Sequence, residues 1–180
     1  MFSLRHNSLF RQPQRSRSAT RPLSRWCAAA TCVSAVVGLA VTTAPAHAAT
    51  RTVTGDASFV INDYENFGSD ERCNRDVNIN FTLTSGQTRS RVATARCGGE
   101  IRVELHYTVR EENGTVYLTK GRVDFFEGDS ENTNDLDGTK RLKADNITPG
   151  QSMTYSPFVY NRDENEPRDW ARVEFTLNNG

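Results

Sequence analysis

Apolar and polar residues alternate along most of the chain beyond residue 56, which is the period of a β-strand. The clearest stretch runs from Ile101 to Val109, where every odd position is apolar and every even position is polar or charged. We expect its odd face to pack inward and its even face to contact water. No stretch has the hydrophobic spacing of an amphipathic helix.

A tight turn follows this strand at Asn113-Gly114, a pair that favours a type I′ hairpin because both residues adopt positive φ. In the returning strand the apolar residues change from even positions, Val116 and Leu118, to odd positions, Val123 and Phe125. A strand changes its inward face only through an extra residue, so we predict a β-bulge at Lys120-Gly121.

The alternation predicts about eight short strands, separated by clusters of Gly, Asn, Asp and Pro. That number and spacing are typical of a single antiparallel β-sandwich, of the jelly-roll or Ig/C2-like kind. The predicted strands are 57–62, 77–83, 91–97, 101–109, 116–125, 139–144, 152–160 and 170–177.

The first 48 residues have a different composition. An Arg- and Ser-rich segment precedes a run from Cys27 to Val41 that is apolar or small throughout, and Ala46-His47-Ala48 ends it. This is the pattern of a secretory signal peptide cleaved after Ala48, since the run is shorter than the roughly 20 residues that span a bilayer. We therefore predict a signal peptide (1–48), a secreted extracellular domain (49–180), and no membrane span after cleavage.

Charge supports this division. The chain has 22 Lys and Arg against 22 Asp and Glu, but residues 1–48 hold six Arg and no acid. Residues 49–180 therefore carry a net charge of −6, and they show no basic stripe interleaved with aromatic residues. Nucleic-acid binding is disfavoured, and we expect an extracellular protein or carbohydrate as the partner.

Two of the four cysteines, Cys73 and Cys97, remain after residue 48. In an exported chain the simplest arrangement for two cysteines is a disulfide. Closing that loop of 25 residues would stabilise the fold by roughly 3.5 kcal/mol in the chain-entropy estimate.

Counting the strands predicts which loops lie at the same end of the domain, and we call this grouping by odd- or even-numbered strand the strand parity. If eight antiparallel strands each cross the domain once, the connections 63–76, 98–100, 127–138 and 161–169 lie at one end, together with both cysteines. We call this the acidic end, because it carries 15 of the 22 acidic residues. Carboxylates this close raise one another's pKa unless a cation neutralises them.

The densest acidic segment, Glu127–Gly138, is the candidate metal site. Calcium binds six to eight hard oxygens, which Asp and Asn in a Gly-containing loop supply. The segment lacks the EF-hand register, and its alternative interpretation is a solvated polar loop. The predicted ligands are Asp129, Asn134, Asp135 and Asp137, with Asp63 or Asp163 from neighbouring loops, and Ca²⁺ is the candidate cofactor.

Aromatic residues in or beside the predicted loops supply a candidate binding surface, and they are Tyr64, Phe67, Tyr155, Phe158, Tyr160 and Trp170. Tyr and Trp combine apolar area with a polar group, which suits recognition. Trp170 begins a predicted strand whose odd positions, from Ala171 onward, face inward, so we expect the even position of Trp170 to face outward. Tyr64 follows a different predicted strand. The alternative is that these rings belong to the core.

The predicted function is a secreted, non-catalytic binding or interaction module with an acidic loop end. No Gly-x-Ser-x-Gly motif accompanies His106, the only histidine after residue 48, so no catalytic residues are assigned. The alternatives are a small extracellular hydrolase using carboxylates of the acidic end, and an inhibitor or antagonist of a protease or toxin. The layout resembles calcium-loop sandwiches such as C2 domains and carbohydrate-binding modules.

Overall fold

The computed structural model describes residues 50–65, 68–162 and 168–180, and these form strands and loops without a helix. None of the described residues therefore belongs to a helix able to cross a membrane. The predicted signal peptide lies outside the described residues. The strands are β1 (Thr50–Asp63), β2 (Glu71–Thr84), β3 (Thr88–Cys97), β4 (Ile101–Glu112), β5 (Thr115–Phe126), β6 (Leu136–Arg141), β7 (Asp145–Ile147), β8 (Ser152–Tyr155), β9 (Phe158–Tyr160) and β10 (Trp170–Asn179).

These strands form two antiparallel sheets. The first sheet has the order β2-β1-β10-β8, and β9 also pairs with β10. The second sheet has the order β3-β4-β5-β6, and β7 also pairs with β5. Apolar residues of both sheets are buried in one shared cluster. The predicted all-β, antiparallel sandwich is confirmed.

The core follows the alternation that the sequence predicts. The odd positions of β4 from Ile101 to Val109 are buried, as are the odd positions of β10 from Ala171 to Leu177. Tyr107 and Phe175 meet between the sheets with ring centroids 5.0 Å apart. Each large apolar side chain buried in this way stabilises the fold by roughly 1.5–3 kcal/mol.

The described residues contain ten strands rather than eight. The predicted strand 139–144 is shifted to β6, which ends at Arg141, and β7 is an additional strand that lies beyond the predicted end. The predicted strand 152–160 is interrupted and forms β8 and β9, and Pro157 in the interruption has no backbone N–H to donate to a strand partner. Both β6 and β7 lie antiparallel to β5, and both β8 and β9 lie antiparallel to β10. The alternation of loops between the two ends is therefore preserved.

The strand order is of the up-and-down type. In the second sheet each strand of the path neighbours the next one in sequence, and in the first sheet β1 joins β2 to β10. Jelly rolls and Ig sandwiches contain Greek-key connections. The described strands show no such connection, because each link joins neighbouring strands or passes from one sheet to the other.

The predicted hairpin and bulge are both present. Asn113 and Gly114 have φ values of 52° and 85°, as a type I′ turn requires. Thr108 pairs with Lys120 while Val109 pairs with Leu118, so Thr119 is the extra residue of the bulge. The bulge lies one position before the predicted pair, and it changes the inward face of β5 as expected.

The predicted disulfide is confirmed. Cys73 and Cys97 are bonded, with their Cα atoms 5.6 Å apart. Cys73 lies in β2 of the first sheet and Cys97 ends β3 of the second. The bond therefore joins the two sheets at the end opposite the turn that connects β2 to β3.

Candidate functional site

The four connections assigned to the acidic end are in contact. The backbone N–H of Glu131 donates to the carbonyl of Gly99 at 2.6 Å, which links the second and third connections. Asn161 Nδ2 donates to Glu127 Oε2 at 2.9 Å, which links the third and fourth. Tyr64 N–H donates to Asp169 Oδ1 at 2.6 Å, which links the first and fourth. Strand parity therefore predicted this grouping correctly for the described loops.

Asp63 lies buried at the base of the acidic end. Only 3% of the residue is exposed, and its Oδ2 has no hydrogen-bond partner among the described residues. Burial, together with the smaller effect of the negative charges of Asp169, Glu65, Glu100 and Glu71, raises the pKa of Asp63 from 3.8 to about 6. The fold thus holds a carboxyl group that binds a proton near pH 6.

The predicted calcium ligands have dissimilar surroundings. Asp137 is buried, and its Oδ2 accepts the backbone N–H of Glu127 at 2.8 Å. Asp129, Asn134 and Asp135 are exposed in the loop before β6. Asp163 lies outside the described residues.

These carboxylates do not form a compact cluster. A metal site needs several ligand atoms close together. Among the described residues, one group of three Asp, Glu, His or Cys side chains has its ligand atoms within 4.8 Å of one another, and it consists of Glu71, Cys73 and Cys97. Both sulfurs of that group are bonded to each other. The structure therefore does not bring the described predicted ligands together as a preformed carboxylate site.

Two arginines of the second sheet partly neutralise the acidic loop. Arg102 Nη1 donates to the carbonyl of Glu131 at 2.7 Å, and Arg96 Nε lies 3.4 Å from Glu131 Oε1. Sequence reasoning missed both residues because they belong to strands rather than to the grouped loops. Their outward position in the alternation of β3 and β4 was the available signal.

Asp63 has the raised pKa that a hydrolase would use for its general acid, but a general acid must reach the substrate. Its Oδ2 contacts the backbone at Gly98, where a Cβ would overlap it. A cavity of about 550 Å³ lies on the outer face of the second sheet beside His106, and Asp63 is not among the residues that line it. In the described geometry Asp63 is almost fully buried, so a substrate does not reach its carboxyl group without movement of the surrounding loops.

Three aromatic rings form a patch on the outer face of the first sheet. Phe158 and Tyr160 lie on β9 and flank the buried Val159, and Trp170 begins the adjacent strand β10. The ring of Phe158 lies 6.0 Å from that of Tyr160 and 5.6 Å from that of Trp170, measured between centroids. We call Phe158, Tyr160 and Trp170 the aromatic patch.

Polar side chains continue the patch across the sheet. Trp170 pairs with Tyr160 on one side and Asn62 on the other, and Asn62 pairs with Arg72. The Arg72 guanidinium lies 5.7 Å from the Trp170 ring centroid, within cation–π distance. One row across four strands therefore presents two rings, an amide and a guanidinium.

The two binding residues predicted from sequence lie at this surface. Trp170 has the predicted outward orientation, since Ala171 beside it is buried. Tyr64 is exposed just beyond β1, with the Arg168 guanidinium 4.9 Å from its ring centroid, and Arg168 accepts a hydrogen bond from Asn62 through its carbonyl. Phe158 and Tyr160, which were also aromatic candidates in the sequence, lie at this surface too. Tyr155 packs against the core instead, and Phe67 lies outside the described residues.

Comparison with protein-family models gives no match, and comparison with curated proteins finds no relative of the chain. The function is therefore inferred from the geometry of the aromatic patch and the acidic end.

Proposed function

We propose that residues 49–180 are a secreted, non-catalytic binding module that contacts an extracellular carbohydrate through the aromatic patch. The observation that supports this most is the arrangement of Phe158, Tyr160 and Trp170 as neighbouring rings on the outer face of one sheet.

Exposure distinguishes these rings from core residues. Phe158 is 39% exposed and Tyr160 37% exposed, whereas Val159 between them is 3% exposed. Leaving apolar area in water forgoes roughly 25 cal/mol per Å². Contiguous apolar area rimmed by polar residues is typical of an interaction site.

The composition of the patch matches the chemistry of a sugar ring. A pyranose has a face of C–H groups that can stack on an aromatic ring, and a rim of hydroxyls that hydrogen-bond to polar side chains. The rings of Trp170 and Tyr160 suit the first requirement, and Asn62 and Arg72 in the same row suit the second. The aromatic patch also includes a tryptophan and a tyrosine, the residues that most often dominate binding energy.

The proposal is tested by co-sedimentation with insoluble cellulose, chitin and peptidoglycan. The protein should sediment with at least one of them, and Trp170→Ala and Tyr160→Ala should reduce its affinity about tenfold or more. Leu136→Ala is the matched control, because Leu136 is an exposed apolar residue of the second sheet. Binding that all three variants retain would contradict the proposal.

A protein partner is separated from a carbohydrate by a second experiment. The immobilised protein and its Trp170→Ala variant are each exposed to native extracellular medium with and without glycosidase treatment. Glycosidase should abolish capture if the partner is a carbohydrate. If capture survives glycosidase treatment of the medium but is lost after protease treatment, the partner of the aromatic patch is a protein.

A calcium ion at the acidic end is the second candidate, favoured by the buried, unpartnered Oδ2 of Asp63. Ca²⁺ would be held by Asp63 together with exposed loop oxygens from Asp129, Asn134 and Asp135. Millimolar Ca²⁺ should then raise the melting temperature, and Asp63→Asn or Asp135→Asn should abolish the increase. Asp137→Ala is unsuitable, because it removes the acceptor of the Glu127 N–H. An unchanged melting temperature would exclude this candidate.

A further inference from the structure

The outer face of the second sheet carries a basic groove that is separate from the aromatic patch and from the acidic end. Its volume is about 550 Å³, within the usual range for small-molecule sites. The described residues that line it include Lys120, Arg122, Arg141 and His106, but no Asp or Glu. Arg91 also lines the groove, but its guanidinium lies 5.6 Å from the ring centroid of Phe81 in the first sheet and is not counted among the cations of the groove.

Strand register aligns the basic residues. His106 of β4 pairs with Arg122 of β5, and Arg122 pairs with Arg141 of β6. Thr108, two residues along β4, pairs with Lys120. The Thr119 bulge produces this alignment, because without the extra residue Lys120 and Arg122 would have the inward parity of Leu118. Bulges are common beside functional sites for this reason.

Two of these cations lack a neutralising partner. Arg122 Nε donates to Asp124 Oδ2 at 2.6 Å, but Lys120 and Arg141 form no ion pair with any described residue. Like charges that face each other across strands are destabilising, and Arg122 and Arg141 are such neighbours. A bound anion would remove this repulsion.

The groove also contains apolar residues, and carboxylates adjoin it at one end. Val92, 54% exposed, and Leu142 line it beside the cations. His106 Nε2 lies 2.8 Å from Glu104 Oε2 and 3.5 Å from Asp124 Oδ2, so both carboxylates adjoin one end of the groove. An anionic group would therefore be favoured toward Lys120, which lies further along the strands from these carboxylates than the row of His106, Arg122 and Arg141.

We propose that this groove binds a small organic molecule carrying a tetrahedral oxyanion, a phosphate or sulfate ester. The ester oxygens would contact Lys120, Arg122 and Arg141, since guanidinium groups bind such anions through paired N–H donors. The carbon skeleton would contact Val92 and Leu142. A compact ligand is favoured over a long polyanion, because residues 49–180 carry a net charge of −6 that would repel charge extending beyond the groove.

The test is titration of the ¹⁵N-labelled protein with glucose 6-phosphate, inorganic phosphate, inorganic sulfate and, as the neutral control, glucose. Backbone amide signals of Thr108, Lys120 and Arg122 should shift and saturate with the anions but not with glucose. The phosphate and sulfate titrations distinguish the two ester classes by affinity. The carbon skeleton should make glucose 6-phosphate bind more tightly than inorganic phosphate.

Arg141→Gln should weaken glucose 6-phosphate binding about tenfold or more, the loss expected for charge-assisted hydrogen bonds. Arg172→Gln, on the exposed outer face of the first sheet, should leave the affinity unchanged. Three results would overturn the proposal: no saturable shift with any anion, equal shifts with sodium chloride at matched ionic strength, or equal weakening by both variants. Saturation of the groove by a short nucleic-acid oligomer at concentrations where glucose 6-phosphate has no effect would also overturn it.

Discussion

The carboxylate of Asp63 lies against the backbone at Gly98, in the space where any other residue would carry its Cβ. Gly98 directly follows Cys97, so this contact adjoins the disulfide and joins β1 to the connection after β3. Gly98 also has a φ of 63°, which a side chain disfavours. The buried carboxyl group and the glycine therefore constrain each other.

Gly98→Ala should destabilise the protein more than the same change at the next residue. Gly99 also has positive φ, 85°, but has open space around its Cβ position. Gly99→Ala should cost about 1 kcal/mol from backbone conformation alone, and Gly98→Ala roughly 2 kcal/mol more from displacing Asp63. Urea unfolding of both variants measures the difference, and equal costs would show that the carboxylate moves aside freely.

Asp63 should make stability depend on pH in a defined window. Its pKa is raised from 3.8 to about 6 in the folded protein, so the folded state binds more protons than the unfolded state between these values. Stability should fall as pH rises from about 4 to about 6. Asp63→Asn lacks this ionisation, so its unfolding free energy should exceed that of the wild type above pH 6 and approach it near pH 4.

Unfolding measured in urea across pH 4–8 tests this, with Asp129→Asn as the control because Asp129 is exposed in the same end of the domain. A constant difference between wild type and Asp63→Asn at every pH would contradict the shifted ionisation.

The disulfide should contribute roughly 3.5 kcal/mol by restricting the unfolded chain. The double variant Cys73→Ser/Cys97→Ser should lose about this much unfolding free energy, because the bond closes a long loop and joins the two sheets. A reducing agent should destabilise the wild type by a similar amount and have no effect on the double variant. An effect of reductant on both proteins would point to another cause.

Asn179 should be the most sensitive polar residue at the end opposite the acidic end. It is buried, and its Nδ2 donates to the carbonyls of Gly114 and Ile147, both at 2.8 Å. These bonds join β10 of the first sheet to the hairpin and β7 of the second. Asn179→Ala should cost about 2–4 kcal/mol by leaving two buried carbonyls without donors.

Asn178→Ala is the neighbouring control, because Asn178 faces the other side of β10 and is only partly buried. Its cost in thermal or urea unfolding should be below 1 kcal/mol, and a cost equal to that of Asn179→Ala would assign the effect to the strand end rather than to the two hydrogen bonds.

The alternation of apolar and polar residues was sufficient to predict which side chains form the core, because the face on which a side chain lies depends only on its position along its own strand. It placed Val103 and Phe175 inward and Trp170 outward, and the parity change before Val123 located the bulge to within one residue. Strand parity also grouped the acidic loops with both cysteines at one end of the domain, where Cys73 and Cys97 are bonded.

Pairing across strands was not accessible in the same way. The row from His106 through Arg122 to Arg141 depends on the register of three strands, which the alternation of each strand does not determine. The interruption near Pro157 divided a strand that the pattern presented as continuous. The neighbours of Phe158 and Tyr160 on β10 likewise follow from strand order rather than from any local signal.

The most direct test of the binding function compares the dissociation constants of the wild type and Trp170→Ala for the polysaccharide with which the protein sediments. The unfolding free energy of both proteins is measured alongside. The aromatic patch predicts a dissociation constant about tenfold or more higher for the variant, with stability changed little because Trp170 lies on the outer face. Equal dissociation constants for two equally folded proteins would contradict the assignment of the aromatic patch as the binding surface.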